Sequence, residues 1–208
     1  MHATTSLPLA VLFAANMLFA TAIQANDSAY TDLDLDNCQT IEADGMGASM
    51  LCKGLKGLTV HFKEGDLRQS VLFGPVDREL RDGAFESFSA FNRVNDKIEW
   101  RRDASGKAFA AILRWFIENP GPDGSPSPES TGQVLVISRV ATPDYPGSCF
   151  VGMVDAKTNA NANLLARQVA DQVTTGFDCG MEAPVWYGER GQLTSDRTFS
   201  WPEGYVVK

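Results

Sequence analysis

His61 is the one histidine beyond the first residues of the chain, so acid–base chemistry that needs an imidazole must be built on it. A Ser–His–Asp arrangement requires a carboxylate to orient the ring and a nucleophile beside it. No Gly-x-Ser-x-Gly elbow occurs, and the pattern around His61 places Arg68 opposite it on a hairpin. A neighbouring cation disfavours imidazolium and cannot replace the orienting carboxylate. His61 therefore reads as a strand-surface residue. The string Asp32-Leu33-Asp34-Leu35-Asp36 puts three carboxylates at alternate positions. On a strand they would share a face and could hold calcium weakly, but the glycine and distal glutamate of an EF-hand loop are missing. It reads as a solvated acidic lead-in to the first strand. With no His-x-x-x-His, no Cys-x-x-Cys and no phosphate-binding glycine fingerprint, the expectation is no catalytic set, no metal and no cofactor. Carboxylate pairs decide nothing in a chain with 26 acids.

The least ordinary charged residue is Arg114, within Ala110-Ala111-Ile112-Leu113-Arg114-Trp115-Phe116-Ile117. Strand alternation puts it on one face with Ile112 and Phe116. A guanidinium among apolar neighbours needs a partner, because an unpaired buried charge is costly. The first reading is an internal ion pair or bonds to loop carbonyls; the second is a contact to an anionic ligand, which would make Ile112, Arg114 and Phe116 a binding face. Trp100 and Trp115 read as core.

The elements that must position these residues are mainly hairpins. Thr40–Glu42 and Ala48–Cys52 flank a Gly-containing turn. Leu58, Val60 and Phe62 alternate with polar residues, as do Leu67, Val71 and Phe73. A two-residue Glu64-Gly65 turn would pair Phe62 with Leu67. Residues 78–81 suggest a helical turn, and Phe85, Phe88 and Phe91 recur at three-residue spacing. Pairing Arg102 with Lys107 across Asp103-Ala104-Ser105-Gly106 sets Trp100 against Phe109. The Pro-, Gly- and Ser-rich stretch Asn119–Thr131 reads as a mobile surface loop. Strands follow at Gln133–Val140 and Phe150–Val154. Leu165, Val169 and Val173 mark one helix that Asn161 or Asn163 can cap and Gly176 can end. The expected fold class is α+β: an antiparallel sheet of about seven or eight strands, with this C-terminal amphipathic helix packed on it.

The N-terminus sets the compartment. Leu7–Ala22 is uncharged and has the length of a signal-peptide core, with small residues at Ala20, Ala22 and Ala25. Cleavage after Ala22 or Ala25 fits, and the polar Asn26-Asp27-Ser28 favours the latter. No Lys or Arg precedes the apolar run, which leaves an uncleaved anchor as the alternative. The organisation expected is a signal peptide over 1–25, one α+β domain over 26–180 and an aromatic-containing irregular tail over 181–208. After cleavage the chain is not expected to be an integral membrane protein. Its net charge of −8 argues against nucleic acid or anionic membrane as partner. In an oxidising compartment Cys38, Cys52, Cys149 and Cys179 read as two structural disulfides. Of three pairings, local geometry favours Cys38–Cys52 with Cys149–Cys179, the first closing a hairpin worth about 3 kcal/mol.

Several stretches carry a resemblance: Asp32-Leu33-Asp34, Cys52-x-Gly-x-x-Gly57, Glu64-Gly65-Asp66-Leu67-Arg68, residues 91–96 (Phe-Asn-Arg-Val-Asn-Asp), Glu99-Trp100-Arg101, Ile112-Leu113-Arg114-Trp115-Phe116 and Gly132-Gln133-Val134-Leu135-Val136. Together they resemble a family of uncharacterised exported proteins from Gram-negative bacteria, over roughly Tyr30 to Cys179. The resemblance implies a periplasmic address and supplies no activity, ligand or catalytic residue. The expected function is non-enzymatic binding of a periplasmic protein or envelope component. A hydrolase with carboxylates hidden among ordinary acids, or a structural envelope protein, are the alternatives.

Overall fold

Alternation of apolar side chains along the strands builds three sheets rather than one. A computed structural model describes residues 1–2 and 26–207, so the leader expected over 1–25 lies almost wholly outside the described residues. In chain order the elements are β1 (Asp27–Asp32), β2 (Gln39–Ala43), β3 (Gly47–Lys53), β4 (Thr59–Gly65), β5 (Arg68–Phe73), α1 (Arg78–Gly83), β6 (Phe85–Phe88), β7 (Asn92–Arg102), β8 (Ala108–Pro120), β9 (Pro126–Arg139), β10 (Phe150–Asp155), α2 (Ala162–Val173), β11 (Val185–Trp186) and β12 (Arg197–Ser200). A six-stranded sheet runs β1-β7-β8-β9-β10-β11, a four-stranded sheet runs β2-β3-β4-β5, and β6 pairs with β12. All pairings are antiparallel except β10 with β11.

The single large sheet expected from sequence is therefore divided. Its antiparallel character, its helix and its two disulfides are present. The division occurs at Gly74, whose φ of 87° turns the chain away after β5. A Cβ there would sit 2.3 Å from the Ala141 carbonyl oxygen, so the close approach of the two sheets needs glycine. One parallel bridge, Phe73 to Val140, joins the edges.

The middle of the six-stranded sheet, along β8, β9 and β10, is buried on both faces, which is why these strands carry long apolar runs. Ala111, Leu113, Trp115 and Ile117 of β8 face the four-stranded sheet, with Ile98 and Trp100 of β7 and Phe62 and Val71 beyond them. Trp115 meets Phe150 edge-on at 5.4 Å and Phe88 at 5.6 Å, and Trp100 meets Phe73 at 5.6 Å. Both tryptophans are core, as their pattern predicts. On the other face Ala110, Ile112, Leu135 and Ile137 pack under α2, which buries Ala162, Ala166, Val169 and Ala170. The expected stripe of Leu165, Val169 and Val173 is thus rotated, with Leu165 and Val173 flanking the contact. Asn161 is the N-cap residue, without a side-chain cap bond. A register shift between Phe150 and Gly152 lets β10 send Phe150 and Met153 to one face and Val151 and Val154 to the other.

Two hairpin registers differ from expectation: the β4–β5 slip is by an even number of residues and keeps the strand faces, whereas the β7–β8 irregularity turns Phe109 to the α2 side. Phe62 pairs with Val71, because the β4–β5 turn is Asp66-Leu67, both with positive φ, rather than Glu64-Gly65. Leu67, taken for core, is exposed at the turn, and His61 pairs with Leu72 instead of facing Arg68. Trp100 pairs with Ala111 rather than Phe109, because a register shift at Arg101/Arg102 absorbs a residue. The stretch 119–131 is mostly strand: β8 and β9 run into it, and the turn closes with Gly121 N–H donating to Ser125 O at 2.7 Å. α1 forms where a helical turn was expected, with Asp77 capping the Glu79 N–H. Of the three spaced phenylalanines Phe88 is fully buried, while Phe91 is exposed. Beyond Met181, where an irregular tail was expected, the chain is largely irregular but contributes β11 and β12. Cys38 bonds Cys52 beside the β2–β3 ladder, and Cys149 at the start of β10 bonds Cys179 beyond α2. No helix among the described residues is long and apolar enough to cross a membrane.

Candidate functional site

The face carrying Arg114 comes together as alternation predicts, but it is not an open platform. Ile112 is buried beneath α2. Phe116 is half-buried, with the Arg93 guanidinium 4.1 Å from its ring centre. Arg114 is half-buried and donates Nη1 to Gln133 Oε1 at 2.9 Å and Nη2 to Asn163 Oδ1 at 3.4 Å. Its partners are neutral amide oxygens, neither the carboxylate nor the loop carbonyls that the sequence suggested. Burial lowers its pKa from the ordinary guanidinium value.

Most other ionisable groups in the interior are spoken for. Arg101 of β7 grips Asp171 of α2 through Nε at 2.9 Å and Nη2 at 2.6 Å, and also donates to Ser28 Oγ and Asn26 O. One turn earlier on α2, Arg167 donates to both oxygens of Glu99, at 2.6 and 3.2 Å. These two pairs clamp the helix over the β1–β7 edge. Glu86, almost wholly buried, accepts from the Arg197 guanidinium and from the Phe150 N–H at 2.7 Å. Burial pushes its carboxyl pKa up, against the pull of Arg197. Asp155 Oδ1 accepts from the Lys157 and Thr158 N–H groups, and Oδ2 from Gly191 N–H at 2.9 Å. Among the described residues no cluster of His, Cys, Asp or Glu is arranged to hold a metal ion.

Three hollows are large enough to admit a small molecule. One of about 430 Å³ lies between β2–β4 and α1, with Glu42, Asp44, Glu64 and Asp82 on its walls. Its lysine, Lys63, is committed to the Asp82 and Ala84 carbonyls at 2.9 Å each. Asp82 is held below the usual carboxylate range by its hydrogen bond to Arg81, the wrong direction for a general acid.

The other two, of about 310 and 300 Å³, share Leu58 and Pro75 in their walls. The first lies on the outer face of the four-stranded sheet, with Leu51, Thr59 and His61, opposite the face on which Val60 and Phe62 join the core. The second is a cleft where four connections meet: the loop before β4, the segment after β5, the β7–β8 turn and the segment after β9. Leu55, Leu58, Pro75, Ala108 and Ala141 give this cleft an apolar lining, Lys56 and Lys107 stand in its wall, and no acid lines either hollow. Among the described residues neither lysine belongs to an ion pair. The nearby Asp103 carboxylate is taken up by the Ser105 and Lys107 N–H groups and the Ser105 hydroxyl.

His61, expected on the surface, is buried beside the outer-face hollow. Its Nε2 lies 3.2 Å from Thr59 Oγ1, whose own proton goes to Gly74 O at 2.6 Å. The ring is thereby the donor. Burial lowers its pKa below the usual 6.5, aided by Arg81 and Lys63 and opposed by the Gly74 carbonyl and Asp82. Lys56 is held at φ 48°, next to Gly57 at φ 86°.

Sequence reasoning missed this cleft, since Lys56 and Lys107 come from separate turns. The signals available were Gly54-Leu55-Lys56-Gly57 and Gly106-Lys107, each a lysine beside glycine and near an apolar residue. Comparison with protein-family models, curated proteins and solved structures finds no match.

Proposed function

We propose that this chain is an exported, non-catalytic binding domain of the periplasm, and that the cleft around Leu58 and Pro75 is where it holds an envelope component. The observation that carries the reading is the contrast in lining: an apolar, acid-free cleft in a chain with 26 acids. Small-molecule sites have this character, an apolar lining with a few polar groups at defined points. The export part rests on the apolar leader and on four cysteines that all pair, which suits an oxidising compartment. Against a hydrolase, the carboxyl pushed upward, Glu86, is sealed in the core against Arg197. The acid-walled hollow holds Asp82 with a lowered pKa, the wrong direction for a general acid.

The test uses the neutral fluorophore N-phenyl-1-naphthylamine, which brightens in apolar surroundings. It should saturate at one site per chain, and Leu58→Asp should abolish the signal while the circular dichroism spectrum is unchanged. An unsaturable signal, or one that Leu58→Asp leaves intact, would remove the cleft from consideration.

A further inference from the structure

We infer that the occupant of the cleft is a free fatty acid, its acyl chain lying along Leu58 and Pro75 and its carboxylate meeting Lys56 and Lys107. This rests on the cleft being the binding site. At about 300 Å³ the cleft falls at the small end of ligand sites, which fits one chain better than two.

The cleft is chemically divided. Lys56 and Lys107 belong to no ion pair among the described residues, and the rest of the wall is largely apolar. A cationic edge on an apolar hollow selects an amphiphile, and it selects its sign. No arginine lines the cleft, so no forked guanidinium is there to grip a head group through two parallel bonds. Two lysines acting as point charges suit a compact, singly charged head such as a carboxylate.

Lys56 supplies an independent argument. Its left-handed backbone is one that glycine adopts freely and a lysine adopts at a cost. A cation is held there, beside a glycine that tolerates the same conformation, at the mouth of the only cleft among the described hollows whose walls carry cations and no acids. Conformations of this kind gather where a ligand is gripped.

The experiment displaces bound N-phenyl-1-naphthylamine with dodecanoate, dodecanol and dodecyltrimethylammonium, each below its micelle concentration. Dodecanoate should displace the probe at about tenfold lower concentration than dodecanol, as expected for two partly exposed ion contacts, with the cationic amphiphile weakest. In the double variant Lys56→Gly, Lys107→Gln the probe should bind as before and the advantage of dodecanoate should fall to near unity. Equal displacement by all three, or an advantage that survives the double variant, would overturn the fatty-acid inference while leaving the cleft reading standing. Failure of the probe to bind the parent protein would overturn both. A variant that took up no probe would show that the lysines shape the cleft rather than read a head group, and would likewise overturn the inference.

Discussion

At the β1–β7 edge Arg101 and Arg167 each meet a carboxylate through two nitrogens, whereas in the cleft Lys56 and Lys107 meet none. The first region is closed chemistry. Desolvating a guanidinium is repaid only by good geometry and full hydrogen bonding, and Arg101 has both, with its side chain 7% exposed. The second region is open chemistry: the cations keep their water and their charge, and Asp103 feels Lys107 as a neighbouring charge without an ion pair. Positive charge thus serves stability in one place and is available for recognition in the other. Net charge could not show this difference, because it lies in the partners.

The comparison predicts unequal costs. Arg101→Met should be the most damaging change, leaving Asp171 and Ser28 without their donor and destabilising the domain by about 3 kcal/mol in urea titrations followed by Trp fluorescence. A loss below about 1 kcal/mol would show that the clamp is ornamental. Gly74→Ala should cost about 2 kcal/mol, through the positive φ and the contact with Ala141 O. It should also displace Pro75 and weaken probe binding, which ties the cleft to the seam between the sheets. Arg114→Met falls between the two regions. Its partners are amides, so removing the charge strands no carboxylate, and the loss should stay within about 1 kcal/mol. A larger loss would place Arg114 with the clamp; a raised midpoint would place it with the cleft.

Lys56→Gly should have the opposite sign, raising stability by about 1 kcal/mol as the left-handed strain is relieved. Destabilisation would show that Lys56 is structural and remove the contrast between the two regions. The smallest effect concerns pH. His61 titrates below its unfolded value of 6.5 because burial disfavours its charged form. The unfolded chain therefore takes up the proton first as pH falls. The stability owed to neutral His61 is complete above pH 6.5 and declines as pH drops through the folded value. His61→Gln should flatten the fall in stability between pH 7.5 and 5.5; a slope identical to the parent would mean that the ring is solvated when folded.

The period-two signal made the faces legible even where registers were not. Placing the turn at Glu64-Gly65 followed the apolar match of Leu67 to Phe62, yet the chain turns at Asp66 and Leu67, and the slip by an even number of residues left the strand faces unchanged while exposing Leu67. Both disulfides were legible, the first from a turn of the right length and the second from a strand–helix unit. Prolines misled at 119–131: they read as a loop, but Pro120 and Pro126 sit at strand ends beside the turn, where a missing N–H costs little. The division into sheets was hidden because alternation gives the faces of each strand but not its neighbours. The paired state of Arg101 was hidden because Asp171 is 70 residues away. Arg114 drew attention instead, being a charge in the middle of an apolar run, and its position on the strand was right while the nature of its partners was not.

The pairing of β6 with β12 has a consequence for how the chain is made. Glu86 receives its cation from Arg197, 111 residues later. A ribosome adding roughly 5–20 residues per second needs on the order of ten seconds to cover that distance. Throughout that interval the edge of β6 is open and the carboxylate that belongs in the core has no counter-charge. The first half of the chain therefore does not close around Glu86 with its counter-charge ahead of the second, and the nascent protein carries its own delay against folding.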